Sequence, residues 1–418
     1  MRILVVSQYF WPENFRINDL VTEWCQRGHD VTVLTGCPNY PSGEVFPEFR
    51  ENPEKYARYG GAKVVRVPLR PRGNGAVRLL VNYASFALSA SFFGAWRLRG
   101  EAYDVIFVFE PSPITVGLPA ALLRRLKQAP LAFWVLDLWP ETLEAVGVVR
   151  SPQILKIVGR LVSFIYNRCD LVLAQSRSFI PAIRKYCRPQ VRVEYFPSWS
   201  DSTFDFSSVK PAGEVPAGGL FFNVMFAGNI GDAQDFPAIL DAAEILRDEK
   251  RIRWLVVGDG RAVDWVRSEV AKRGLTDCFF MLGQYPVERM PSFYIHADAL
   301  LVSLKDTPIF AMTIPGKLQS YLASGIPVLA MLNGEGAEIV RQSGSGLSCS
   351  AGDGKALATA VLKLAAMPKE ELSAMGLCGL ALSRTEFDRE TLISRLLAWL
   401  DDLAMNNQQQ FGKSGKSR

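Results

Sequence analysis

The chain has 418 residues, 49% of them hydrophobic and 21% charged, enough apolar material for two ordinary cores. Its seven cysteines lie far apart without a CxxC pair, and it has only two histidines, His29 and His296. A disulfide framework, a thiolate zinc site, a histidine-rich metal centre and a Ser-His-Asp triad are thereby disfavoured.

The N-terminal run "RILVVSQYF" is strand-length and lacks the longer apolar core and small-residue cleavage site of a signal peptide, so export is not indicated. It is followed by "DVTVLTG", "AKVVRVPL", "DVIFVFEP", "LAFWVLDLW", "LVLAQS" and "VRVEYFP", with helical patterns between several of them. A second series runs through "FFNVMFAGNIG", "IRWLVVGDG", "CFFMLGQY", "ADALLVSL", "GIPVLAML" and "GLSCS", interleaved with helices such as Phe236–Asp248 and Val263–Arg273. Continuous apolar strands alternating with helices predict parallel sheets buried on both faces, hence an α/β chain with two doubly wound domains. The expected boundaries are 1–200 for the first domain, 201–219 for a Ser/Pro/Gly-rich linker and 220–385 for the second domain. A C-terminal helix over 386–405, packing back toward the first domain, and a disordered polar tail over 406–418 complete the chain.

The net charge of +5 is uneven, the first half being basic and the second mildly acidic. This suggests that the first half faces an anionic membrane surface or a phosphorylated acceptor; no nucleic-acid motif accompanies it. Solvated arginines without a partner are the alternative on charge alone. The uncharged stretch Leu79 to Trp96 is flanked by Arg70, Arg72, Arg78, Arg97 and Arg99 and sits near the lower limit for a membrane span. Asn82, Ser85, Ser89 and Ser91 interrupt it, and three readings stay open: an interfacial helix, a buried helix, or a span.

Ligands of open α/β sheets bind beyond the carboxyl ends of the strands, so the residues after each strand are the candidates. In "IPGKLQSYLASG" a Pro-Gly turn opens a helix with Lys317 in its first turn. There an ammonium and free N–H groups converge, a seat for a diphosphate. Asp137 and Glu141 in "WVLDLWPE" offer carboxylates able to accept a proton or bind an incoming hydroxyl, with helix capping as the structural alternative. Glu13, Asn14 and Arg16 form a polar group after the first strand, expected on the acceptor side.

Taken in order, "SQYFWPEN", "RGHDVTVLTGCPNYPSG", "DLWPE", "FAGNIGDAQ" and "IPGKLQSYLASGIPVLAMLNGEGAEIV" resemble the GT-B glycosyltransferases of family 4. More narrowly, they look like the WbuB-like enzymes of bacterial O-antigen and capsule assembly. The resemblance implies two Rossmann-like domains facing a central cleft, with a UDP-sugar donor held by the second. It also implies retention of anomeric configuration, no metal and no cofactor. The sugar would be N-acetylated, possibly 6-deoxy such as L-FucNAc. The acceptor would be a sugar on undecaprenyl diphosphate, bound by the first domain of a cytoplasmic protein peripheral to the inner face of the plasma membrane. A silent membrane-associated binding protein of this fold and a UDP-sugar epimerase are the alternatives.

Position by position, the resemblance implies that Lys317 and the Gly316 amide contact the diphosphate, that Asn229, Gly231 and Gln234 border the donor, and that Gln284 and Tyr285 neighbour the base. Thr313 joins this donor set. Asp137 would lie beside the reacting sugar. Met312 and Ser320 stand where the wider family carries two glutamates, so the ribose ligand is expected downstream, at Glu335 or Glu338.

Overall fold

The computed structural model describes the backbone of residues 1–418 other than 42, 74, 146–148, 150, 201–208 and 415–418, and the same residues' side chains other than 76 and 410–414. Two compact units result, Met1–Phe196 with Ile393–Arg418, and Pro197–Leu392.

The first unit is built on an eight-stranded sheet. Its strands are β1 (Arg2–Val6), β2 (Asp30–Gly36), β3 (Arg58–Tyr59), β4 (Ala62–Val67), β5 (Val105–Glu110), β6 (Leu131–Val135), β7 (Leu171–Ala174) and β8 (Arg192–Tyr195), in spatial order β3-β4-β2-β1-β5-β6-β7-β8. β5, β6 and β7 are buried at every position, as strands covered on both faces must be. β3 alone is antiparallel, pairing with β4 across a Gly60-Gly61 turn; at two residues it is too short to leave a periodic signal.

The direction of each crossover decides which face its helix covers. β1 to β2 moves one way along the sheet, whereas β4 to β5, β5 to β6 and β6 to β7 move the other way. With right-handed crossovers, the helix Arg16–Gln26 therefore covers one face, and the helices Ala76–Ser89, Gly117–Lys127 and Pro152–Tyr166 cover the opposite one.

The helix Ala76–Ser89 continues through a π turn, Ala90–Gly94, to Arg97. One side is fixed to the sheet: Phe86 and Ala90 are fully buried, and Asn82 accepts from Gln8 Nε2 at 2.7 Å while donating to the Arg70 carbonyl at 2.6 Å. The opposite side is exposed at Val77, Leu88 and Phe92. The helix is long and apolar enough to cross a membrane by length and composition, and with one side exposed the fully buried reading is set aside.

The second unit carries a six-stranded parallel sheet. Its strands are β9 (Phe222–Ala227), β10 (Ile252–Val257), β11 (Phe279–Gly283), β12 (Ala299–Ser303), β13 (Val328–Met331) and β14 (Gly346–Cys349), in order β11-β10-β9-β12-β13-β14. The order reverses between β9 and β12, the switch point at which loops splay and a ligand crevice opens. The corresponding point in the first sheet lies between β1 and β5.

Three expected boundaries are corrected. The units divide at Phe196/Pro197 and the second runs to Leu392, rather than 200 and 385. Part of the expected linker lies at 201–208, outside the described residues; the rest is tied down on the second unit. Arg253 donates to the Pro216 and Gly218 carbonyls, the Ala212 N–H donates to Ser292, and Arg289 pairs with Glu214. The C-terminal helix runs Arg389–Ser414, so residues 406–414 of the expected disordered tail are helical; 415–418 lie outside the described residues. From Ile393 onward this helix groups with the first unit, where Ser394 accepts from Arg27 and the Trp399 ring meets Phe196.

Candidate functional site

In the second unit the site forms where β9 ends. The helix Gly316–Ser324 is held there by Tyr321, whose hydroxyl accepts from the Ala227 N–H at 2.9 Å and donates to the Ala227 carbonyl at 3.0 Å. Lys317 lies one turn earlier on the same helix face, as i and i+4 residues do. Its Nζ is buried, has no hydrogen-bond partner and lies 3.6 Å from the centre of the Phe226 ring. Burial alone pushes this amine down from 10.5 to about 7.

Gly228, at φ +136°, makes room for it: a Cβ there would stand 3.2 Å from Lys317 Nζ. Gly258, at φ +145°, lets β10's exit pass the same loop, since a Cβ there would lie 1.9 Å from the Gly228 carbonyl oxygen. Both glycines are thus required by close approach as well as by φ.

The remaining donor candidates divide into groups. Gln234 Oε1 accepts from the Gly231 N–H at 3.1 Å and from Asn229 Nδ2 at 3.2 Å, so Asn229, Gly231 and Gln234 form one self-bonded turn after β9. Thr313 and Gly316 lie at the mouth of the lysine's helix. There Gly336, next to Glu335, abuts Pro315 and the Thr313 carbonyl, and the Thr313 hydroxyl donates back to Ile309 at 2.8 Å.

Glu335 opens the helix Glu335–Ser343. Glu338 is placed otherwise: it is ion-paired with Arg341 and accepts from Gln342 at 2.5 Å, along its own helix. Of the two acids expected to replace the missing ribose ligand, Glu335 is the one at the N-terminus of this helix, and its neighbour Gly336 abuts Pro315. Gln284 is exposed after β11, and the Tyr285 ring packs on Phe293 at 4.7 Å beneath Arg289.

In the first unit Asp137 stands just beyond β6. Its carboxylate accepts from Thr142 Oγ1 at 2.5 Å and from Trp139 Nε1 at 3.2 Å, and burial raises its pKa above 3.8 against these hydrogen bonds. Glu110, at the end of β5, is fully buried with both carboxylate oxygens unbonded, and burial followed by the neighbouring Asp137 charge pushes it well above the ordinary range. Burial and the Asp137 charge thus both favour its protonated form, while the backbone N–H groups of Asp137 and Leu136 favour the charged one. In the sequence Glu110 ends an otherwise apolar strand, "DVIFVFE", and so falls among the strand-end candidates, but its burial gave no local signal.

Glu141 is not brought beside this pair. It starts the helix Glu141–Ala145 and lines a cavity of about 500 Å³ with Lys156, Arg160 and Tyr186, and Asp137 is not among the lining residues.

Glu13 is a structural tie rather than an open acceptor-side group. It is buried, accepting from the Phe10 N–H at 3.1 Å, the Asn39 N–H at 2.7 Å and the Tyr40 N–H at 2.8 Å, so it fastens the loop after β1 to the loop after β2. Asn14 is exposed, and Arg16 begins the helix that follows. Phe15, between them, stacks on Tyr9 at 5.3 Å and meets Tyr40 at 5.3 Å, an aromatic group at the switch point that polar-residue reasoning missed. Among the described residues no three His, Cys, Asp or Glu side chains converge as metal ligands.

Two doubly wound sheets in one chain, each with its loops gathered at a switch point, define the GT-B class of architecture. Solved structures agree on the fold. HepE of Anabaena in complex with UDP and glucose matches at TM-score 0.66 and 16% identity over 96% of this chain and 100% of that one. Trehalose 6-phosphate synthase of Burkholderia multivorans matches at TM-score 0.70 and 14% identity over 100% and 98%.

Two family profiles match in order, a glycosyl transferase 4-like domain over residues 14–199 and glycosyl transferases group 1 over 222–367. The colanic acid biosynthesis glycosyl transferase WcaI of Escherichia coli K12 is 28% identical over 346 residues, 78% of this chain and 82% of WcaI. The glycosyltransferase WbjE of Pseudomonas aeruginosa is 28% identical over 280 residues, 62% and 66% of the two chains. The chain belongs to the family 4 glycosyltransferases of GT-B fold and is a glycosyl-transferring enzyme.

Proposed function

We propose that the enzyme transfers a sugar from a UDP-sugar, with retention of configuration, to an undecaprenyl-diphosphate-linked acceptor at the cytoplasmic face of the membrane during bacterial surface-polysaccharide synthesis. The observation that carries the donor half is Lys317. A buried amine without a hydrogen-bond partner, at the first turn of a helix and at a switch point, is a vacant counter-charge for a diphosphate. The UDP bound in HepE and the colanic acid biosynthesis in the name of WcaI support the same reading.

In this reading Lys317 and the Gly316 amide hold the diphosphate, the Asn229–Gln234 turn borders the donor, and Glu335 binds the ribose. The diphosphate leaves from the face on which the acceptor hydroxyl attacks, and Asp137 receives a hydrogen bond from that hydroxyl. The sugar is N-acetylated. The test is UDP release by purified enzyme with a panel of UDP-sugars and a short-chain GlcNAc-diphosphate-lipid. Turnover that depends on both substrates supports the proposal; no UDP release with any donor overturns it.

A further inference from the structure

The large apolar side chains left exposed in the first unit are not scattered. Among the described residues, all but Tyr40 and Met405 belong to three helical segments, Val77–Arg97, Gly117–Lys127 and Pro152–Tyr166. The right-handed crossovers place these helices side by side on one face of the sheet, with Gly117–Lys127 packed against both others. In the second unit the exposed apolar residues fall on separate elements instead, such as Ile245, Trp265 and Leu377.

Each helix presents an apolar stripe of helical period. Val77, Val81, Leu88, Phe92 and Trp96 line the first, Leu122 and Leu126 the second, and Ile157 and Phe164 the third. The charges among them are of one sign. None of the three segments contains a single Asp or Glu, whereas Arg78 and Arg97, Arg125, and Lys156 and Arg160 accompany the stripes. Arginines lie against the exposed rings: Arg99 is 4.8 Å from the Trp96 ring and Arg168 is 3.4 Å from that of Phe164.

Two acids at the border are paired with cations, Asp170 with Arg124 and Glu101 with Lys63, while Glu141 and Glu144 line a cavity together with Lys156 and Arg160. A protein partner would be expected to meet some acid–base complementarity here. A surface that is apolar, cationic and free of acid across three helices fits an anionic lipid headgroup layer, with rings and aliphatic chains dipping below it.

We propose that this three-helix face is a single docking plane for an anionic bilayer, seating the enzyme as a monotopic protein. The proposal rests on the lipid-linked acceptor assigned above and extends it, because the first helix joins the plane to the acceptor loops. Its outer side carries Leu88 and Phe92, while its inner side holds Gln8 through Asn82 and places Tyr83 against Trp139, two residues from Asp137. Docking then sets the loops beyond β1 and β6 at headgroup level, where a membrane-tethered diphosphate sugar is presented.

The test is co-sedimentation of the full chain with vesicles of phosphatidylcholine alone or mixed with phosphatidylglycerol, alongside UDP release on a short-chain, water-soluble acceptor. Wild type is expected to bind the mixed vesicles and not the neutral ones, and raised salt is expected to weaken binding. The double variant Ile157→Glu/Phe164→Glu, on the third helix, is expected to lose about tenfold in binding, as is Leu88→Glu/Phe92→Glu on the first. Both are expected to keep the wild-type circular dichroism spectrum and turnover of the soluble acceptor. Wild type that ignores the mixed vesicles overturns the plane, and so does a third-helix variant that binds them undiminished, since docking would then belong to the first helix alone. Vesicle binding without turnover of any acceptor leaves the plane standing and removes the proposed reaction; turnover without vesicle binding does the reverse.

Discussion

The Tyr321 hydroxyl is bonded on both sides by one residue, accepting from the Ala227 N–H and donating to the Ala227 carbonyl. Ala227 is the last residue of β9, so this pair of bonds replaces the ladder partners that a strand end lacks and fixes how far the helix Gly316–Ser324 sits from the sheet. Tyr321→Phe leaves both backbone groups buried and unpaired. A loss of about 1–3 kcal/mol in urea unfolding is expected, together with weaker UDP binding by calorimetry, because Lys317 rides on the same helix face.

Lys317 itself is expected to act through its protonation. The folded protein holds its amine at about 7 rather than 10.5. Between those values the unfolded chain binds the extra proton, so this group's contribution makes stability rise with pH across that window. Lys317→Met removes the penalty and is expected to raise the melting temperature of the ligand-free enzyme at neutral pH while abolishing transfer. Bound diphosphate pulls the amine's pKa back up, so UDP binding near pH 8 is expected to take up close to one proton. Calorimetry in buffers of different ionisation enthalpy reads that uptake; binding with no proton exchange would remove the diphosphate contact.

Asp137 is expected to govern the acidic limb of the activity profile. Burial raises its pKa above 3.8, the hydrogen bonds from Thr142 and Trp139 opposing the rise. Transfer needs the ionised form if this group accepts a hydrogen bond from the attacking hydroxyl. Activity is therefore expected to rise with pH through a midpoint above the ordinary aspartate value. Asp137→Asn is expected to lower kcat by about 10²-fold or more with donor affinity unchanged. Thr142→Val is expected to move the midpoint upward, since it removes a bond that favours the ionised carboxylate.

Glu13 was legible in the sequence as a polar residue after the first strand, yet its role was not. Three backbone N–H groups from two loops converge on it, and such convergence depends on where the loop after β2 returns, which no local pattern encodes. Glu13→Gln keeps the volume but places a donor amide where Oε1 or Oε2 accepts. A loss of stability of about 1–3 kcal/mol is expected, with KM for the acceptor rising more than KM for the donor.

The strands were legible because burial on both faces of a parallel sheet leaves continuous apolar runs; the helix Gly316–Ser324 was legible from its Pro-Gly opening. Three features were not. Phe15 and its aromatic neighbours, the unbonded Glu110, and the shared acid-free face of three helices each arise from residues far apart in sequence and brought together only by topology. Glu335 and Glu338 mark the same limit on a smaller scale. Three residues apart in sequence, Glu335 opens the helix and Glu338 is bound to Arg341 within it, a difference of setting that spacing alone does not state.

Gly228 offers the most direct separation of the amine's position from its charge. Its φ of +136° is a conformation that side chains rarely adopt, and a Cβ would stand 3.2 Å from Lys317 Nζ and 3.3 Å from Cε. Those atoms are the far end of a flexible chain, so Gly228→Ala is expected to displace the amine rather than prevent folding. The variant is expected to bind UDP more weakly, with the backbone strain lowering the melting temperature modestly. The control is the same substitution in a Lys317→Met background, where the backbone strain at φ +136° is unchanged and the amine is gone. A loss of UDP affinity by the same factor in both backgrounds would assign the effect to strain alone; a loss seen only with Lys317 present assigns it to the position of the amine.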